Sequence, residues 1–176
     1  MEDQQNYLAV NKESWNKRAV VHYDSEFYDN ASFLAGRSSL NPIELELLGD
    51  VTNKSILHLQ CHFGQDTLSL ARLGAQVTGI DLSDQAIEKA KLLSAESGVP
   101  ATFLCCDLYS LPTQLDQQFD IVFTSYGTIS WLPDLDRWAD VVAHFIKPGG
   151  RFVFAEFHPA VWMFSDDFSE VAYNYF

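Results

Sequence analysis

The sequence predicts a doubly wound α/β domain with a mostly parallel sheet, and three observations carry that expectation. From Lys54 onward, five short apolar runs alternate with stretches of helical period, the pattern of strands joined by helical crossovers. The helical stretches end on strong stops, at Gly74, at Gly98 and at Lys147-Pro148-Gly149-Gly150. Two of the apolar runs close on an acidic residue, Asp81 and Asp107, where parallel strands leave a crevice at their carboxyl ends.

Each element follows from local pattern. Residues 4–22 form a loosely amphipathic helix through Tyr7, Leu8, Val10, Trp15, Ala19 and His22. The aromatic and acidic stretch from Tyr23 to Ser39 has no clean period and reads as loop with short helical pieces. Asn41-Pro42 opens a helix from Ile43 to Leu48 that stops at Gly49. The first strand, 56–60, runs into a loop holding Gly64 and then a helix over 65–73. The second strand, 76–80, leads to Asp81 and to a helix capped by Ser83 and closed by Gly98, with Ile87, Ala90 and Leu93 inward. A third strand covers 101–105, and Leu111-Pro112 breaks the chain after it. The fourth strand covers 119–124. Asp134 then starts a helix whose Leu135, Trp138, Val142 and Phe145 form one apolar stripe, and the fifth strand covers 151–157. Residues 1–50 are thus a helical arm and 51–176 the core. Two readings of the arm stay open: simple packing on the domain, or a lid over the crevice.

The stretch Ser55 to Ala71 organises the rest. A strand feeding a loop that opens a helix gathers free backbone N–H groups and a positive helix end in one crevice. Asp81, closing the next strand, is placed to accept hydrogen bonds from a ribose diol, so the crevice suits a nucleotide-type cofactor.

Composition narrows the class. The 176 residues are 47% apolar and 20% charged, as in ordinary globular proteins, and form one domain overall. Twenty-four acidic against 11 basic side chains give a net charge of −13, a field that repels phosphate backbones and argues against a nucleic-acid partner. No run is long enough for a membrane span, and the polar, acidic N-terminus does not read as a secretory signal. Three cysteines, Cys61, Cys105 and Cys106, cannot all pair, so free thiols in a reducing cytoplasm are expected.

In succession these segments resemble the class I S-adenosylmethionine-dependent methyltransferases, from about Trp15 to about His158. The family's first motif, VLDLGCGxGxxxL, stands here as Ile56-Leu-His-Leu-Gln-Cys-His-Phe-Gly-Gln-Asp-Thr-Leu68. Gly79-Ile-Asp81-Leu-Ser83 and Cys106-Asp107-Leu108 match the acids that hold the ribose and the adenine. Phe119 to Tyr126 matches the segment beside methionine and substrate, and Lys147 to Val153 the turn into the fifth strand. The resemblance implies a Rossmann-like fold, strand order 3-2-1-4-5, and methyl transfer to a small-molecule acceptor, leaving S-adenosylhomocysteine. It assigns the cofactor to Tyr23, His58, Gln60, Cys61, His62, Gly64, Asp81, Leu82, Asp107, Leu108 and Ser125.

The departures are as informative. Gln60 and His62 replace two glycines and His58 replaces the usual Asp. Either Gln60 and His62 contact the methionine end themselves, or binding is weakened; the survival of Gly64, Asp81 and Asp107 favours retained binding. Two further strands expected after the fifth have too few residues beyond His158, which implies a shortened member or a fragment. The fifth strand is then an edge, to be covered by the aromatic tail or paired with a second copy in a homodimer.

His22, Tyr126 and His158 are candidate acids, bases or substrate binders, each set against ordinary packing. No metal site is expected, because strands one and three are separated by a strand, roughly 10 Å at the usual spacing. Two other readings stand beside the enzyme: a scaffold that binds the cofactor or nothing, and an NAD-dependent dehydrogenase, disfavoured by the missing third glycine of GxGxxG.

Overall fold

The computed structural model describes residues 2–175. Its helices are α1 (Glu2–Tyr23), α2 (Asn30–Leu34), α3 (Pro42–Leu48), α4 (Gln65–Arg72), α5 (Asp84–Ser97) and α6 (Leu135–Phe145). Five strands, β1 (Ser55–Leu59), β2 (Gln76–Asp81), β3 (Thr102–Cys105), β4 (Phe119–Ser125) and β5 (Ile146–Ala155), form one sheet. All its pairs are parallel and the order is β3-β2-β1-β4-β5, as the family resemblance implies. Among the described residues no sixth or seventh strand is present.

Alternation along the strands divides the core into two layers. Leu57, Leu59 and Val122 face α6, where Val142 and Phe145 cover them together with Leu108 and Leu111. Ile56, Ile121, Phe123 and Val153 face the other way, against Leu70 of α4 and Leu48 of α3. Phe145 is fully buried, and truncating such a ring costs about 3–5 kcal/mol.

The helix ends obey their signals. Ser83 Oγ accepts from the Ala86 N–H at 3.0 Å, and Gly98 closes α5 in the left-handed region at φ 67°. Asp134 caps α6 through the Arg137 N–H at 3.0 Å. The predicted stripe on α6 shifts, however. Leu135 is 47% exposed in the first turn, while Val141 joins Val142 and Phe145 in the core.

The last strand also departs from expectation. Lys147 to Gly150 were to separate α6 from a strand over 151–157, but β5 begins at Ile146, directly after the helix. A register shift absorbs the extra residues: Phe119 pairs with Ile146 and Ile121 with Arg151. Lys147 turns back to Asp120 at 3.1 Å. The strand stops at Ala155, which releases Glu156 for another task.

The arm packs on the domain through α1 and α5, by Lys12 to Asp84 at 2.9 Å and Ser83 Oγ to Asn16 Oδ1 at 2.6 Å. Beyond β5 the aromatic tail folds on itself, with Phe164 and Val171 bridged antiparallel and Trp162, Phe168, Val171 and Tyr173 exposed. None of the described helices is long and apolar enough to cross a membrane. Cys61, Cys105 and Cys106 are free thiols; burial pushes Cys106 up to about 12, so it stays protonated.

Candidate functional site

A cleft of about 780 Å³ opens over the carboxyl ends of the strands, a size suited to a small ligand. Its floor is the β1 exit loop, residues 60–64. Gln60 has φ 55°, His62 φ 52° and Gly64 φ 80°. All three occupy the left-handed region, although only one is glycine. An L-residue there costs about 1–2 kcal/mol, so contacts must hold the other two in place. Gln60 Nε2 donates to the Thr128 carbonyl at 3.0 Å. The His62 N–H donates to Asp81 Oδ2 at 2.8 Å. The His62 ring is hydrogen-bonded to His22, Nε2 to Nδ1 at 2.9 Å, inside an aromatic box that includes Trp15 and Tyr28. Gly64 has no substitute: a Cβ there would lie 2.7 Å from the Phe103 ring. At Gly79 on β2 a Cβ would lie 2.9 Å from Cys61 Sγ and 3.1 Å from the same ring.

Asp81 is the anchor of the loop. Its second oxygen accepts from the Ser83 N–H at 2.8 Å, so one carboxylate joins the β1 and β2 exits. Burial nevertheless pushes its pKa up to about 6, against the pull of those N–H groups. Burial raises Asp107 as well, at the end of β3. Beneath the floor, His58 Nδ1 meets Thr67 Oγ1 at 2.8 Å, and burial lowers the ring to about 4, so it is neutral at pH 7. Burial brings His62 down further, to about 3.

The opposite wall is built from β4 and the arm. Tyr126, at φ 33°, lines the cleft beside Ser125 and Gly127. Glu156 holds this exit by accepting from the backbone N–H groups of Gly127, Thr128 (2.8 Å), Ile129 (3.4 Å) and Phe157 (2.8 Å). These bonds keep its pKa below the usual glutamate value, although burial opposes them. Asp66 accepts from Ser39 Oγ at 2.6 Å and from Ser125 Oγ at 3.2 Å. Glu44 is 1% exposed, accepts from the Asn41 N–H and meets the Tyr126 side chain. Burial first, then Asp66, raises its pKa.

Of the residues singled out in the sequence, His58, Gln60, Cys61, His62, Gly64, Asp81, Leu82, Asp107, Leu108, Ser125 and Tyr126 all border the cleft. Tyr23 is elsewhere, edge-on to Phe63 at 5.4 Å with the Lys89 ammonium over its ring. His22 does not itself line the cleft but packs behind His62, Tyr28 and Trp15, which do. His158 caps the turn after β5, accepting from the Ala160 N–H at 3.2 Å. Among the described residues no three His, Cys, Asp or Glu side chains converge as metal ligands.

Sequence reasoning missed Glu44, Asp66, Glu156, Trp15 and Tyr28. Glu156 had a usable signal, an acid at a strand's end like Asp81. Glu44 was visible only as the capping-box partner of Asn41.

A family model described as a methyltransferase domain matches residues 56–150. The ubiquinone biosynthesis O-methyltransferase of Chromobacterium violaceum is 31% identical over 133 residues, covering 74% of this chain and 57% of that protein. Its counterpart in Bordetella avium is 30% identical over 153 residues, covering 78% and 63%. The chain spans from about half to about three fifths of the length of the curated relatives it matches, 49% to 63%. Among solved structures, an S-adenosylmethionine-dependent methyltransferase from Mesorhizobium loti aligns with TM-score 0.58 and 28% identity, over 74% of this chain and 58% of that one. DhpI, solved as a complex with SAH, shares the fold at TM-score 0.62 and 24% identity, over 85% and 68%.

Proposed function

The chain belongs to the class I S-adenosylmethionine-dependent methyltransferase family, and on that premise we propose that it methylates an oxygen atom of a small organic acceptor. One observation carries the reading: Asp81 closes β2 at the cleft with a pKa raised to about 6, a buried carboxylate with demand left for further donors. A ribose diol supplies such donors. Asp107, at the next strand end, faces the same cleft and suits an adenine amino group. The loop retains left-handed backbone at Gln60 and His62, which favours retained binding over the scaffold reading.

The cofactor brings a methyl group on a sulfonium, a good leaving group; the protein's own part is positioning and proton removal. Asp81 fixes one end of the cleft, and Glu156 fixes the other by holding residues 127–129. A hydroxyl acceptor must lose its proton. Glu44, raised by burial and in contact with Tyr126, is the base of this reading, ahead of His22 and His158. Oxygen as the acceptor atom is supported by the O-methyltransferase names of the curated relatives. The arm serves as the lid, since Trp15, Tyr28 and Glu44 all line the cleft. Three free cysteines suit a reducing cytoplasm. The free β5 edge and the exposed aromatic tail suit pairing with a second copy. A light-scattering mass of one chain at every concentration removes that last element.

The test is a calorimetric titration with S-adenosylhomocysteine, with NAD as control, on wild type and Asp81→Ala. Binding of the first alone, lost in the variant, supports the reading. Product release with hydroxylated acceptors, reduced at least tenfold by Glu44→Gln, tests the base. A folded protein that takes neither ligand overturns the proposal.

A further inference from the structure

Two side-chain atoms in the β1 exit loop, Gln60 Oε1 and His62 Nδ1, are buried with no hydrogen-bond partner. Their chemistry is defined by what the other end of each side chain does. Gln60 Nε2 donates to the Thr128 carbonyl at 3.0 Å, so the atom left over is an acceptor. His62 Nε2 engages His22 Nδ1 at 2.9 Å, so the nitrogen left over is Nδ1. The aromatic surroundings of His62, from Trp15, Tyr28 and Phe63, keep the ring neutral, with a single N–H to place. If His22 Nδ1 donates, that proton sits on His62 Nδ1 and makes it a donor.

The sheet order says what arrives there. With Asp81 on β2 and Asp107 next to β3 taking the nucleoside, the rest of the cofactor extends toward β1 and β4, over this loop. That remainder is an amino acid, with one ammonium and one carboxylate. An acceptor and a donor, each orphaned, match those two groups.

We propose that Gln60 and His62 bind the amino-acid end of S-adenosylmethionine through their side chains, Gln60 Oε1 accepting from the ammonium and His62 Nδ1–H donating to the carboxylate. His22, from the arm, is a positioning residue that sets the His62 tautomer. The glycine-to-side-chain replacements in this loop are therefore a recognition device, and they tie cofactor binding to the arm. The inference rests on the cofactor reading above.

The test compares S-adenosylhomocysteine with 5′-methylthioadenosine, which keeps the nucleoside and lacks the amino acid. Gln60→Gly and His62→Gly suit the left-handed backbone at φ 55° and 52°, so the loop is under no new strain. Each variant, shown folded by circular dichroism, is expected to weaken S-adenosylhomocysteine at least tenfold while 5′-methylthioadenosine stays within twofold. Nitrogen-15 NMR of the S-adenosylhomocysteine complex is expected to show the His62 proton on Nδ1, and His22→Phe to shift it toward Nε2. Either glycine variant leaving S-adenosylhomocysteine affinity within twofold of wild type overturns the role of that residue. Parallel weakening of both ligands overturns the proposal in favour of a loop-shaping role. A His62 proton on Nε2 in the complex overturns the donor assignment. Wild type binding neither ligand overturns the cofactor reading itself, and this inference with it.

Discussion

Two carboxylates hold the two sides of the cleft, and their pKa values are shifted in opposite directions. Asp81 at the β2 exit accepts from the His62 and Ser83 N–H groups, yet its pKa rises to about 6. Glu156 after β5 accepts from four backbone N–H groups, and its pKa falls. Both are desolvated; Asp81 is more deeply so and has fewer donors to offset it. The difference teaches how to tell a binding carboxylate from a structural one. Glu156 serves the fold alone, whereas Asp81 also lines the cleft, where the proposed cofactor would meet it.

The contrast is easiest to break at Asp81. Asp81→Ala should lower S-adenosylhomocysteine affinity about 100-fold, the worth of two hydrogen bonds to a charged acceptor, read by calorimetry. Glu156→Ala should instead act on stability, leaving four N–H groups without their acceptor at a cost of about 2–3 kcal/mol in denaturant unfolding. Nucleoside affinity should change far less than in the Asp81 variant.

Acid sharpens the comparison, because the two groups titrate with opposite sign. Asp81 binds its proton more tightly folded than unfolded, so ionising it weakens the ligand-free fold as pH rises from about 4 to about 6. Ligand hydroxyls favour the ionised form. Affinity should therefore be full above pH 6 and fall by up to tenfold per unit below it, with proton release on binding near pH 6. Glu156 behaves the other way: its stabilisation is present above the ordinary glutamate value and disappears as pH falls through its depressed one. The smallest expected effect is a control for backbone strain. Asn53, exposed at φ 61°, should tolerate Asn53→Gly with a change in stability of at most about 1 kcal/mol.

The same contrast marks what was legible in the sequence. The strands, the caps at Ser83 and Asp134 and the position of Asp81 follow from period, spacing and neighbours in the chain, which are local quantities, whereas the strand order came with the family resemblance. The opposite wall of the cleft is assembled from distance. Glu44 and Tyr126 belong to segments far apart in sequence, and Glu156 meets residues 127–129 only because β5 ends early at Ala155. Gln60 and His62 looked like losses of backbone freedom. The loop instead keeps the glycine conformation, held by Thr128, Asp81 and His22, and no local pattern announces those partners.

Phe103 gives the floor of the cleft one further property. Its ring stands against Gly64 in the β1 exit loop and against Gly79 on β2, at distances no Cβ tolerates without adjustment. Two positions on two elements are thus governed by the volume of one side chain. Substitution at 103 by a smaller residue relaxes the demand for glycine at 79, where the backbone angle is ordinary, but Cys61 Sγ still limits the space. It does not relax the demand at 64, where φ 80° keeps it in force. Variation at 79 is therefore expected to travel with variation at 103 and 61, while position 64 stays fixed whatever its neighbours become.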